Sequence, residues 1–599
     1  MAGKRAFLAT TSIEEFWDTS GTLLILGEWC RRYSRKDYLT SLDTIALDPP
    51  YADADVPGIF EYLDTVYEKA LPLLSGKLNA LHGVRHPERY WRTLVGTWLL
   101  HLIHALYDRY AHIAAALAVY PELTTLCLDE ESFQTPGETI EFMELLKSDL
   151  YNLQMFSRLL ERLKGPFPKR KVATSDYIQA SVHKVMPNRA VSLTKRFLAR
   201  TLSAPGGRSG KIYYHNAYFP RSTEAKLMMA TGFAMARFYF PSIDFGGTAR
   251  DEVSRAELSS VAFGANEFER LLFGFIGDAI PVVFLERYRE TDAAVHDLYR
   301  EKPVALMSAT SWHYNDVFKI WAASQAEKGA MLVGLQHGGN YGIIRYFLQE
   351  RQELSVVDRF YSWGWTRNST GAEVKPMSST KLLGRPKGGG RGKGRHILYD
   401  LAVWMRCLVQ FPLTTEYWRR YFEDIGIFAG SLSGEVMSDL KLRPHREDMG
   451  WEVRERLRDI FPPSVPVETW DVPFEKSLGE CRLFVCGHAT YSTTFIEALH
   501  MNKPTILYYD PSFAANTLHP DAAGYFEDLR LAGILFESPV EAAKQVNGVH
   551  GHAVEWWNEG PRQRTVERFM DRFGRASENG MDEWARELKG ILAAGRRRA

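Results

Sequence analysis

Along this chain short apolar runs of strand length alternate with segments whose apolar residues fall three and four apart, the two rhythms of buried parallel strands and of helices packed on them. The first runs are Arg5–Thr10 and Leu23–Leu26. From about Phe60 to Arg200 the period is helical, with long segments at Glu88–Tyr120 and Thr139–Leu163 and an expected strand at Leu123–Leu128 between them. Strands are then expected at Lys211–Phe219, Pro281–Leu285, Val304–Ser308, Met331–Gln336, Phe360–Trp365 and Lys381–Leu383, with helices over Ser222–Met235 and about His313–Glu327.

Gly384–Arg395 (GRPKGGGRGKGR) interrupts the rhythm with glycine and five positive residues, the composition of a flexible hinge. The alternation then restarts. Strands are expected at His396–Leu401, Asp439–Arg443, Val465–Thr469, Arg482–Gly487, Pro504–Asp510 and Gly533–Phe536, with helices at Thr415–Ser431, Trp451–Ile460 and Thr493–Met501. Val554–Leu592 is helical and rich in Trp.

The expected fold is α/β, GT-B-like: two Rossmann-like domains facing a cleft. The boundaries expected are 1–383 for an N-terminal acceptor-side domain with a helical insertion at about 60–200, and 384–395 for the linker. A C-terminal nucleotide-binding domain follows at 396–555, then helices and a basic tail at 556–599.

Composition narrows the classes. A chain of 599 residues exceeds one core, and 45% hydrophobic with 13% aromatic residues is a globular composition. Lys+Arg 73 balances Asp+Glu 73, so no overall positive field points to nucleic acid. Five scattered cysteines, an odd count, argue against a disulfide framework, no CxxC pair or Cys/His cluster suggests a zinc site, and a reduced cytoplasm is expected. Glu14 and Glu15 interrupt the start before a signal peptide develops, and His101, His104, Asp108 and Arg109 break the most apolar segment, Leu94–Tyr120. Contact with a membrane is expected only from its surface, with Arg596–Arg598 as a short basic tail.

The candidate chemistry lies at expected strand ends. In RLFVCGHATYSTTFIEALHMNKPTILYYDP, Ser492, Thr493 and Thr494 stand between a strand and a helix, where hydroxyls and unpaired N–H groups hold an anion. An equal alternative is a capping box, Thr494 to Glu497, that only closes the first helical turn. Gln336, His337, Gly338 and Gly339 follow another strand, with glycines for close backbone approach and an imidazole for proton transfer. Arg443, His445 and Arg446 offer cations for a leaving phosphate, and Glu28 a carboxylate at a strand end. Asp316 and Glu224 are weaker acid–base candidates. Asp53-Ala54-Asp55 looks like a metal-chelating Asp-x-Asp but follows a Pro-Pro loop and is set aside.

Taken in order, LGEWC, QHGGNYG, FYSWGW, RPHREDMGW and STTFIEALHMNKPTILYYD resemble a family of bacterial surface-polysaccharide transferases of the O-antigen and capsule type, from Leu8 to about Trp584. The C-terminal half is also similar to bacterial sialyl- and Kdo-type glycosyltransferases. Their Ser/Thr pair is matched at Ser492-Thr493-Thr494, and their His-Pro motif only loosely, because Pro444 precedes His445.

The resemblance implies a glycosyltransferase with a nucleotide-sugar donor, CMP-linked to a sialic-acid-like nonulosonic acid or Kdo, and a glycan or lipid-linked glycan acceptor. It implies no metal and no cofactor. Donor phosphate would sit near Ser492, Thr493, Thr494, Arg443, His445 and Arg446, with Glu497 on the ribose and Glu28 or His337 as the base. Two alternatives stay open: a CDP-alcohol phosphotransferase of the teichoic-acid polymerase type, and a non-catalytic nucleotide- or glycan-binding protein on the same scaffold.

Overall fold

Buried apolar runs make the two main sheets, and both are wholly parallel. The computed structural model describes residues 6–172, 210–238, 240, 247–368, 371–385 and 394–598. In the N-terminal half a six-stranded sheet runs in the spatial order Glu373–Pro376, Arg359–Ser362, Met331–Leu335, Ala305–Ser308, Ile212–His215, Met235–Arg237. In the C-terminal half a five-stranded sheet runs Leu440–Pro444, His396–Leu401, Cys481–Cys486, Thr505–Tyr508, Leu535–Phe536. Ile397, Leu398 and Tyr399 pair with Leu483, Phe484 and Val485, and all six side chains are fully buried, as strands covered on both faces require.

In each sheet the strand order reverses at one place. In the C-terminal sheet this lies between His396–Leu401 and Cys481–Cys486, because the chain leaves the first strand toward one edge and the third toward the other. Such a reversal opens a crevice beyond the carboxyl ends of the two strands, the usual ligand position in open parallel sheets. Two sheets of this kind, meeting at their loop ends, give the GT-B-like arrangement.

Helices pack where their caps direct them. Val56–His82 starts with Pro57 in its first turn and stops at Gly83, whose φ of 63° is the left-handed conformation of a glycine C-cap. Asp510 accepts from the N–H groups of Ser512 and Phe513 and starts Pro511–Thr517. Glu88–Val119 is buried on nearly every side, including His101, His104, Asp108 and Arg109. It packs against Val56–His82, Asp149–Leu163, Asp316–Glu327 and Leu348–Val356. Its far end reaches a small parallel sheet of Phe7–Ala9, Leu23–Ile25 and Thr44–Ala46 through Ile113 and Ala116.

The last helices cross between the halves. Phe569 of Gly560–Phe573 meets Phe495 in the C-terminal half. Trp584 and Leu588 of Gly580–Arg598 join the core of the six-stranded sheet, and Trp584 Nε1 donates to the Ser378 carbonyl at 2.8 Å. No helix among the described residues is long and apolar enough to cross a membrane.

Several expected elements take another form. Pro281–Leu285 is not a strand but a 3-10 turn, Val282–Phe284, with the N–H groups of Val282 and Val283 bonded to Pro136 and Gly137 carbonyls. Lys381–Leu383 is a turn, and the edge strand is Glu373–Pro376, whose mixed polarity hides it. Val465–Thr469 makes one isolated bridge, Val467 to Leu442. Leu123–Leu128 is a strand only at Cys127–Leu128, paired with Lys169–Arg170, and Thr124 makes an isolated bridge to Phe7. Thr139–Leu163 divides into Thr139–Leu145 and Asp149–Leu163, because Ser148 caps the second helix through the Tyr151 N–H. Ser222–Met235 is a helix only over Arg221–Ala230, and Met235 opens the edge strand Met235–Arg237. Linker positions 386–393 and insertion positions 173–200 lie outside the described residues.

Candidate functional site

At the strand reversal, buried polar groups gather beyond the strand ends. Asp400 and Cys486 are register partners at the carboxyl ends of their strands, and His488 follows two residues after Cys486. Thr494 Oγ1 donates to Asp400 Oδ2 at 2.5 Å, Ser492 Oγ and Thr494 Oγ1 are 2.7 Å apart, and Ser492 Oγ accepts the Thr494 N–H at 3.1 Å. The hydroxyl turn is thus bonded to Asp400 on one side. Burial pushes the Asp400 carboxyl up to about 7 and the His488 imidazole down to about 3, because neither charged form is solvated there. Asp400 and His488 were not among the sequence candidates.

On its other side the hydroxyl turn touches the glycine turn of the N-terminal half. Gly339 N donates to Thr493 Oγ1 at 2.8 Å. A Cβ on Gly339 would stand 2.4 Å from the Ser492 carbonyl oxygen, so a side chain there would push the turns apart. Gln336 holds the glycine turn from behind: its Oε1 accepts from Trp363 N at 2.7 Å and Trp365 Nε1 at 2.8 Å, and its Nε2 donates to the Gly338 carbonyl at 2.8 Å. Gln336 therefore positions the turn.

His337 precedes the two glycines, and its ring faces Tyr218, His313 and Tyr341 of the N-terminal half. Its side chain is 20% exposed, its Nδ1 lies 3.2 Å from Tyr341 Oη, and Glu353 is 4.0 Å away. Glu353 also holds His313 Nε2 at 2.7 Å. Burial, with Lys381 adding to it, pulls His337 down to about 4, so the imidazole is neutral at neutral pH and able to accept a proton.

Glu497 does not close a capping box. The helix Thr494–His500 has no side-chain cap bond at Thr493, and the Glu497 carboxylate instead meets Lys381 of the N-terminal half at 2.5 Å and Arg385, at the start of the Gly-rich segment, at 3.0 Å.

A profile of the LIC12162 family transferases matches residues 6–588, nearly the whole chain. The chain belongs to this family. The protein is accordingly a transferase. No curated protein matches it in sequence.

Among solved structures this LIC12162 family transferase is similar to S. aureus MnaA bound to UDP, at 10% identity, covering 65% of this chain and 97% of that one, with a TM-score of 0.36. It is also similar to MurG of Acinetobacter baumannii, at 9% identity, 64% and 100% coverage and a TM-score of 0.33. Anabaena HepE with UDP and glucose aligns at 9% identity, 65% and 100% coverage and a TM-score of 0.35.

The other sequence candidates of this family member lie apart from the meeting turns or are engaged elsewhere. Arg443 is buried: it pairs with Glu468, donates to Ser477 Oγ and the Val472 carbonyl, and lies 4.6 Å over the Trp470 ring. Its guanidinium is thereby committed within the fold. His445 and Arg446, just beyond the same strand, are exposed, and His445 Nδ1 bonds to the Glu447 backbone.

Glu28 opens the 3-10 turn after Leu23–Ile25 and lines a separate cavity of about 560 Å³ with Arg31, Tyr33, Arg419, Phe422 and Arg456. Burial raises its carboxyl, opposed by Arg31 and Arg456 at 3.6 Å. Asp316 accepts from Thr139 and pairs with Lys319 in the core, and Glu224 pairs with Tyr214 and Arg237. Asp53 is held by Arg420 at 2.6 Å.

Proposed function

We propose that the protein is a glycosyltransferase of the GT-B type, moving a sugar from a nucleotide donor to a glycan or lipid-linked glycan acceptor. The contact of Gly339 with Thr493 carries this reading. It joins the turn that carries a neutral histidine at the end of one parallel sheet to the hydroxyl turn at the strand reversal of the other, the arrangement a donor–acceptor transfer needs.

In this mechanism the nucleotide lies beyond the carboxyl ends of the C-terminal strands. Its phosphate faces Ser492, Thr493 and Thr494, and the exposed His445 and Arg446 help neutralise the leaving group. Arg443 supports the loop instead of touching donor. Glu497 acts as a strut to Lys381 and Arg385 in place of a ribose ligand. His337, backed by Tyr341 and Glu353, removes the acceptor proton as its oxygen attacks the anomeric carbon. Glu28 is the base only if the acceptor occupies the 560 Å³ cavity.

A CMP-linked nonulosonic acid or Kdo is the donor we favour, on the likeness of the STT turn, and the cytoplasmic face of the membrane is the proposed place of work. The chain divides, on this proposal, into an acceptor side before the Gly-rich segment and a donor side after it. Incubation with candidate CMP-sugars and mass analysis of the product test the reading. A transferred sugar supports it, and transfer of an alcohol phosphate from a CDP donor replaces it with the phosphotransferase.

A further inference from the structure

We propose that Asp400, Cys486 and His488 form a zinc-class metal site beneath the hydroxyl turn. Their ligand atoms all lie within 4.8 Å of one another and all three side chains are buried. It is the one such trio found among the described residues.

The spacing suits a tetrahedral ion. With Zn–S near 2.3 Å and Zn–N about 2.0–2.1 Å, a tetrahedral angle puts sulfur and nitrogen about 3.5 Å apart. Cys486 Sγ lies 3.6 Å from His488 Nδ1 and 3.7 Å from Nε2, over the ring, so the imidazole turns about its side-chain bonds to aim one nitrogen at an ion shared with the sulfur. His488 Nε2 lies 3.8 Å from Asp400 Oδ2, so an ion would draw the carboxylate in by about half an ångström. Thr494 Oγ1, already 2.5 Å from Asp400, or a water supplies the fourth position. Tyr421 Oη, 3.4 Å from His488 Nδ1, orients the ring with Nε2 toward the carboxylate.

Thiolate, imidazole and carboxylate together select zinc or cobalt over magnesium or calcium. Binding displaces the thiol proton of Cys486 and the proton held on Asp400 to solvent, with no change of oxidation state. The ion is structural. It ties the two central strands to the turn that carries Ser492 and Thr494, and no donor chemistry is routed through it.

The test uses the full chain, stripped with EDTA and reloaded with zinc or cobalt chloride. Elemental analysis is expected to find about one metal per chain, and the cobalt form a thiolate-to-metal charge-transfer band. Cys486→Ala and His488→Ala should lose both, while Cys481→Ala, at the start of the same strand, keeps them. Should the site variants fail to fold, the wild-type cobalt spectrum decides. A spectrum without the sulfur band, retention of metal by Cys486→Ala, or less than about a tenth of an equivalent after reloading overturns the proposal.

Discussion

Gly339 donates its backbone N–H to the hydroxyl of Thr493 across the two halves of the molecule, at 2.8 Å. The bond places the glycine turn against the hydroxyl turn so closely that backbone faces backbone, with Ser492 O and Thr493 Cα both within 3.0 Å of where a Gly339 Cβ would stand. The neighbouring Gly338 has more room, its nearest atom being Thr493 Oγ1 at 3.3 Å.

Gly339→Ala is therefore expected to separate the turns, lowering stability by about 1–3 kcal/mol as overpacking does, and to weaken nucleotide binding. Gly338→Ala should do much less. Equal behaviour of the two variants in thermal melts and nucleotide titrations would show that the contact does not set the site.

Glu497→Gln separates a cap from an ionic strut. Glutamine serves a capping box as well as glutamate, so a capping role predicts a near-neutral variant. The ion pairs to Lys381 and Arg385 predict a loss of about 2–3 kcal/mol, toward the low end for a buried pair because both cations are partly exposed. Urea unfolding measures the difference, and the loss should shrink little on going to Glu497→Ala.

His337→Ala is expected to lower turnover by about 10²–10⁴-fold, the usual contribution of a positioned base, while leaving nucleotide affinity unchanged. Full turnover removes His337 from the chemistry and directs attention to Glu28. Because burial holds His337 near 4, the base stays unprotonated above that pH, and its arm of the rate profile should fall only as pH drops toward 4.

Asp400 carries a pH signature in metal-free protein. Its folded value, about 7, exceeds the ordinary 3.8, so the folded state binds more protons between those values. The stability it contributes is full below 3.8 and is lost as pH rises through 7. Asp400→Asn imitates the neutral form and lacks this loss. The melting temperature of the variant relative to wild type should thus rise steadily from pH 4 to 7.5, and a constant difference would refute the assignment.

Much of the frame was legible because long buried strands write themselves as unbroken apolar runs. His396–Leu401, Met331–Leu335 and Thr505–Tyr508 lie within runs read from the sequence, and Cys481–Cys486 starts one residue before its run, Arg482–Gly487. Strands of mixed polarity, such as Thr44–Ala46 and Glu373–Pro376, carry no such signal. Pro281–Leu285 has strand composition but makes a turn, since its N–H groups are claimed by a loop distant in sequence.

At the site, Ser492–Thr494 and His337 were visible as polar breaks after apolar runs. Asp400 was not, being one carboxylate inside HILYDL, and only strand pairing puts it opposite Cys486. His488 and Cys486 lay in a stretch already singled out, yet Asp400 and Tyr421, the other groups around His488, come from a strand and a helix far away in the chain. Arg443 had the reverse fate: its position at a strand end was readable, but Glu468, which occupies it, was not.

The central claim, a nucleotide donor held at the hydroxyl turn, is tested most directly by melting the full chain with CMP, CDP, UDP and GDP, beside the Ser492→Ala/Thr493→Ala double variant. A ligand at 100 times its dissociation constant adds about 2.7 kcal/mol. Stabilisation of wild type by one nucleotide, CMP on the favoured donor, with loss of the effect in the variant is the predicted result. Stabilisation that survives in the variant, or none by any of the four, would contradict the account.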